Sequence, residues 1–239
     1  MCTVTLVKNS SKGFILTSNR DEAIGRKTLP LEFYEFNGKR LLFPKDQVAG
    51  GTWISISEQQ TMICLLNGGY KNHEKKNHYR HSRGVVVTDI LSENNLWEAM
   101  QAYDCEDLEP FTLVGVDWNT KTFFYELVWD GKQKHIRVLD SNQTHIWSSA
   151  TLYTDEMKQK RKDWFADFKH NNKLTVENII KFHRTGGVGN KYYDLQIKRG
   201  NLQTRSITQV VANGNEVKMR YEDLVINKVF EKSIETVNI

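Results

Sequence analysis

Short stretches of β-branched and aromatic residues, each closed by a turn signal, constrain this chain most. TVTLV, GFILTS, TWISI, TMICLL, FTLVGV, TFFYELVW, HIRVLD, TRSITQVVA and EVKMRY follow this pattern. Asp130-Gly131 and Asn213-Gly214 read as hairpin turns, because their residues tolerate positive φ. A chain built from such pieces must pair them into sheets and cover the sheets with something apolar.

Three segments supply that cover. One helix is expected near Val87, with Ile90 and Leu91 at i+3 and i+4. A second carries Met157, Trp164, Phe165 and Phe168 on one face, and a third Val176, Ile179 and Ile180. With only three prolines and no repeat, no linker stands out. The expectation is a single α+β domain over residues 1–239, with mainly antiparallel sheets covered by helices.

Bulk properties exclude several classes. A net charge of +4 does not imply a nucleic-acid partner. No apolar run approaches the ~18 residues of a membrane span. NSSK interrupts the N-terminal apolar stretch, so no signal peptide is expected. The three cysteines, Cys2, Cys64 and Cys105, are widely spaced and form no CxxC, which argues against disulfides and zinc and for a reducing cytoplasm.

The first two strands read as a hairpin turning about Ser11. That register sets Leu6 opposite Leu16, Val4 opposite Ser18 and Cys2 opposite Arg20. A guanidinium beside a thiol favours the thiolate. If Met1 is removed, the α-amine of Cys2 becomes a base next to its own thiol, as in N-terminal threonine nucleophiles. The competing reading is a strand-start cysteine beside a surface ion pair.

Other stretches carry readings of their own. KNHEKKNHYRHSRG, residues 71–84, is basic and can meet an anionic ligand such as haem propionates; His73, His78 or His81 would then be iron ligands. Otherwise it is a solvated loop leading into the Val87 helix. GGVGNK, residues 186–191, follows a helix and lacks the phosphate-loop pattern, so it reads as a helix stop. Cys64 reads as inert core, and Cys105 as a thiol whose acidic neighbours raise its pKa. Trp53 follows two glycines that permit close backbone approach, and it walls a pocket or packs in the core.

Cys2, NRDE at 19–22 and GGTW at 50–53, with LLNG at 65–68, SRG at 82–84 and TRS at 204–206, resemble the NRDE family, also called the transport and Golgi organisation 2 family. The resemblance implies a four-layer αββα sandwich of the N-terminal-nucleophile hydrolase type, distantly similar to bile-salt hydrolases and penicillin acylases. It implies Cys2 as nucleophile, Arg20 and Asp21 as tuning and orienting groups, Asn67 as oxyanion donor and Arg205 as a second cation. Asn19, Trp53 and Ser149 are then expected at the substrate. Ser149 departs from the family, which tends to have asparagine there. Two functions follow: hydrolysis of a small amide with no cofactor required, or carriage of haem or an acyl-lipid such as acyl-CoA in the same pocket. A small-molecule ligand is the expected partner of either.

Overall fold

The computed structural model describes residues 3–236. The first sheet is built from β1 (Thr3–Ser10), β2 (Gly13–Ala23), β10 (His145–Ser148), β11 (Lys198–Arg199), β12 (Leu202–Asn213), β13 (Glu216–Asp223) and β14 (Lys228–Glu235). Its order is β10-β1-β2-β12-β13-β14, with β11 paired to β12. The second sheet runs in chain order through β3 (Thr28–Phe36), β4 (Lys39–Asp46), β5 (Ile54–Ser57), β6 (Thr61–Asn67), β7 (Phe111–Asp117), β8 (Phe123–Trp129) and β9 (Lys134–Leu139). All the ladders are antiparallel.

Alternation along each strand divides the apolar residues into layers. Val4, Leu6, Phe14 and Leu16 meet Leu42, Ile56, Cys64 and Val114 between the two sheets. The other face of the second sheet packs on α1 (Arg83–Leu91) and α2 (Leu96–Ala102), through Val87, Ile90, Leu91 and Met100. The other face of the first sheet packs on α3 (Asp155–Asn171) and α4 (Val176–Thr185), through Phe165, Ile179 and Phe182. The order helix–sheet–sheet–helix is the four-layer αββα sandwich. Each helix begins on a side chain that caps it: Ser82, Asn95, Thr154 and Thr175 each accept from a backbone N–H of the first turn.

The expected hairpin register holds: Leu6 pairs with Leu16, Val4 with Ser18 and Thr3 with Asn19. Asn213-Gly214 turns β12 into β13, and Asp130-Gly131 turns β8 into β9, with Gly214 and Gly131 at positive φ. GGVGNK ends α4, where Gly186 N–H donates to the Phe182 carbonyl. Strands β3, β4, β10, β11 and β14 were not anticipated. β3, β10 and β14 lie at sheet edges; β14 is rich in charge, and β3 carries Pro30 where its register shifts. Edge strands need these features to resist pairing with other chains, and the features dilute the strand signal. Among the described residues no helix is long and apolar enough to cross a membrane.

Candidate functional site

The NRDE stretch is the C-terminal part of β2, and alternation sends its side chains to opposite faces. Asn19 points into the helix layer. Its Nδ2 donates to the carbonyls of His183 at 3.1 Å and Leu195 at 2.7 Å, and its Oδ1 lies 2.7 Å from His183 Nδ1. Carbonyls only accept, so the amide orientation is fixed, His183 Nδ1 carries the proton, and Nε2 accepts from the Thr5 hydroxyl at 2.8 Å. Every polar atom of the Asn19 amide is thereby used to hold α4 to the first sheet.

Arg20 points the other way, between the sheets, and is buried. Its Nη2 lies 2.6 Å from Asp46 Oδ2 and 3.8 Å from Glu22, and its Cζ stands 4.5 Å over the Trp53 ring. Nη1 is buried with no hydrogen-bond partner among the described residues. Asp46 closes the last turn of β4. Its Oδ1 accepts from the Val48 and Ala49 amides at 3.0 and 2.9 Å, and its Oδ2 also accepts from Arg26 Nε at 2.8 Å. Burial alone would raise its pKa, but the Ala49 amide, Arg26 and Arg20 outweigh burial and hold it below the usual carboxylate range.

Asp21 is buried on the helix side, where it accepts from the Tyr153 hydroxyl and, at 2.5 Å, from Thr204 Oγ1. Asn67 ends β6, and Gly68 follows at φ +87°, where a Cβ would meet Ala150 and Thr151 at 3.0 Å. Ser149 is buried and donates to the Asn67 carbonyl at 2.7 Å, so it anchors the strand end that carries Asn67. Arg205 falls at the β-bulge between Thr204 and Ser206, where its carbonyl accepts from Leu224 N–H at 2.9 Å.

Two clefts meet here. One of about 90 Å³ is lined by Arg20, Asp46, Trp53, Asn67 and Arg83; one of about 400 Å³ is lined by Asp21, Asn67, His73, Arg83 and Glu109. Glu22, Asn67 and Arg83 border both. Trp53 thus does both things foreseen for it, walling the smaller cleft while packing into the inter-sheet core. Arg205 borders neither cleft. Cys2 lies outside the described residues. Its neighbour Thr3 pairs with Asn19 on one side and Ser148 on the other.

The structure adds residues that the sequence reading passed over. Arg83, the middle of SRG, donates to the Pro110 carbonyl at 3.1 Å and pairs with Glu109 at 3.1 Å; burial lowers its pKa despite Glu109. His73 Nε2 shares Glu109 at 3.2 Å. The flanking glycine has a different task. A Cβ on Gly51 would lie 2.6 Å from the Gly84 carbonyl carbon, so GGTW and SRG cross backbone to backbone, with Thr52 N–H donating to Gly84 O at 3.3 Å.

The basic segment is a loop leading into α1. His78 is exposed, and His81 lies 3.0 Å from its neighbour's carbonyl and 3.4 Å from the Tyr103 hydroxyl. Of the three histidines, His73 alone borders one of the two clefts, with Nε2 already on Glu109. Its Nδ1 is buried without a hydrogen-bond partner among the described residues. The other thiols are buried: desolvation pushes Cys64 up to about 12 and Cys105 up to about 11. For Cys105 burial comes first, and Asp104 adds less than the acidic sequence context suggested.

The chain matches, over residues 1–236, the family model described as Transport and Golgi organisation 2. No curated protein sequence matches it. Among solved structures it is similar to a Caenorhabditis elegans ortholog of N-acylethanolamine-hydrolyzing acid amidase, with TM-score 0.59 and 14% identity over 87% of this chain and 92% of that one. It is also similar to an arginine-to-leucine variant of conjugated bile acid hydrolase from Clostridium perfringens, with TM-score 0.59 and 9% identity over 99% and 98%. A cysteine-to-alanine mutant of that hydrolase gives TM-score 0.55 and 8% identity over 98% and 92%. At these identities the likeness is one of fold, that of the N-terminal-nucleophile hydrolases.

Proposed function

Because the chain belongs to the transport and Golgi organisation 2 family and has an N-terminal-nucleophile hydrolase fold, we propose that it is an N-terminal cysteine amidohydrolase cleaving the C–N bond of a small non-peptide amide. One observation carries this reading. Arg20 is buried with an Nη1 that has no partner among the described residues, on the strand that pairs with Thr3, and Asn67 borders the same cleft. Leaving a buried guanidinium nitrogen unpaired costs stability, so the geometry suits a group whose partner is the nucleophile or substrate. Cys2 is bonded to Thr3, and successive Cα atoms are about 3.8 Å apart.

In this mechanism Met1 is removed first. The freed α-amine, with a reference pKa of about 7.7–8.0, accepts the Cys2 thiol proton. Arg20 favours the thiolate, and Asp21 orients the resulting ammonium. Sulfur attacks the amide carbon, and the Asn67 side chain donates to the developing oxyanion. The C–N bond then breaks, and the leaving amine takes the proton from the α-ammonium. Water attacks the thioester, giving one proton to the α-amine, and the carboxylic acid leaves as the sulfur regains a proton.

Intact mass and labelling test this. The expected result is protein lacking Met1, with a β-lactam or activated amide adding one acyl group to Cys2 and none to Cys2→Ala. Retention of Met1 throughout, or acylation unchanged in Cys2→Ala, would sink the reading.

A further inference from the structure

A third cleft lies across Ser149 from those at Asn67 and takes no part in the mechanism above. Its volume is about 430 Å³, within the range of small-molecule pockets. It opens beside β9 and β10, edge strands of the two sheets. Leu66, Val128, Leu139 and Trp147 give it one apolar wall, and Thr112, Thr144, His145 and Ser148 line it with polar groups.

Its charges are unbalanced. Arg137, Lys158 and Lys162 border the cleft against one carboxylate, Glu126. That carboxylate is buried and fully committed: Oε1 accepts from Trp147 Nε1 and Oε2 from Arg137 Nε, both at 2.6 Å. Glu126 therefore fixes the indole wall and neutralises Arg137, leaving the two lysines one turn apart on α3. Lys158 donates to the Tyr70 carbonyl at 3.3 Å and reaches Asp155 at 3.0 Å, but that carboxylate is 88% exposed and screened by water. Lys162 forms no ion pair among the described residues. A cavity with one apolar wall and more ammonium groups than carboxylates at its rim attracts an anion carrying an apolar body.

We propose that this cleft binds a small monoanionic amphiphile, with its carboxylate-type head at Lys158 and Lys162 and its apolar body against Trp147 and Leu139. The binding requires no reaction at Cys2.

Decanoate, decanol and decyltrimethylammonium test charge against apolar character at constant chain length. Trp147 lines the cleft and reports occupancy by its fluorescence, with Trp147→Phe as the blank. Decanoate is expected to bind saturably, and the cation not to bind. Lys158→Gln with Lys162→Gln should weaken decanoate on the order of tenfold and leave decanol unchanged. Equal binding of decanoate and decanol, unaltered affinity in the double variant, or no fluorescence change at millimolar decanoate would each overturn the proposal. The titration is repeated on Cys2→Ala. Binding retained there while no amide is turned over by the native protein removes the hydrolase reading and keeps the cleft; turnover without decanoate binding does the reverse.

Discussion

Arg20 Nη2 lies 2.6 Å from Asp46 Oδ2, joining the last residues of β2 in one sheet to the end of β4 in the other. This ion pair bridges the two layers. Asp46 stands just upstream of GGTW, and its other oxygen caps the turn that delivers Trp53 to the opposite side of the same guanidinium. The carboxylate thus fixes both the charge and the ring around Arg20.

Asp46→Asn should destabilise the protein by about 3 kcal/mol, the lower end for removing one partner of a buried pair. The native carboxyl is held below its unfolded value, so its contribution is complete above about pH 4 and disappears as pH falls through the folded value. Urea unfolding at pH 7 and pH 3 checks both statements. A variant equally stable at pH 7 would show that the pair holds nothing.

His183 makes the opposite region acid-sensitive. Burial drops its pKa to about 3, and the neutral ring bridges Thr5 and Asn19. The neutral form contributes fully above the unfolded value near 6.5, and that contribution fades as pH falls toward about 3. Stability should fall by about 2 kcal/mol between pH 6.5 and pH 5. His183→Gln should be less stable at pH 7 and should lose most of that slope. Urea midpoints across the range decide it, and an unchanged slope in the variant would assign the acid sensitivity elsewhere.

Gly51→Ala should cost about 1–3 kcal/mol, because its Cβ would stand 2.6–2.9 Å from the Gly84 backbone, which no side-chain rotation can relieve. Gly25→Ala, with nothing within 4 Å, is the control and should change stability by less than about 0.5 kcal/mol. Thermal unfolding of the two variants side by side gives the answer. Equal losses would mean that the glycine crossing is not tight in solution.

Native protein treated with iodoacetamide at pH 8 should be alkylated at Cys2 alone. Cys64 and Cys105 are buried, with thiols pushed up to about 12 and about 11, so the thiolate form that reacts is scarce. Peptide mapping before and after unfolding in urea counts the sites. Labelling of Cys105 in the native state would contradict its burial.

Asn67→Ala should slow acylation of Cys2 by roughly 100- to 1,000-fold if its side chain stabilises the oxyanion. Ser149→Ala should slow it less, because Ser149 acts on the Asn67 backbone carbonyl and not on the substrate. Acylation rates from mass spectrometry order the two variants; the reverse order would move the oxyanion role away from Asn67.

The hairpin register, the three long helices and the sheet-rich class were determined by the sequence alone. Each rests on a period of two or 3.6 residues, or on a turn dipeptide, and such signals are local. The edge strands β3, β10 and β14 were less legible, because charge, proline and partial exposure suit an edge and blur its alternation. The NRDE stretch marked where chemistry would gather. Only the tertiary structure decided that Asn19 holds a helix while Arg20, one residue on, enters the smaller cleft, for the pleat sends neighbours to opposite layers. The partners that complete the site, Asp46, Arg83, Glu109 and Tyr153, come from segments far apart in sequence. A buried charge selects its partner by distance in space, and the packing of two sheets sets that distance.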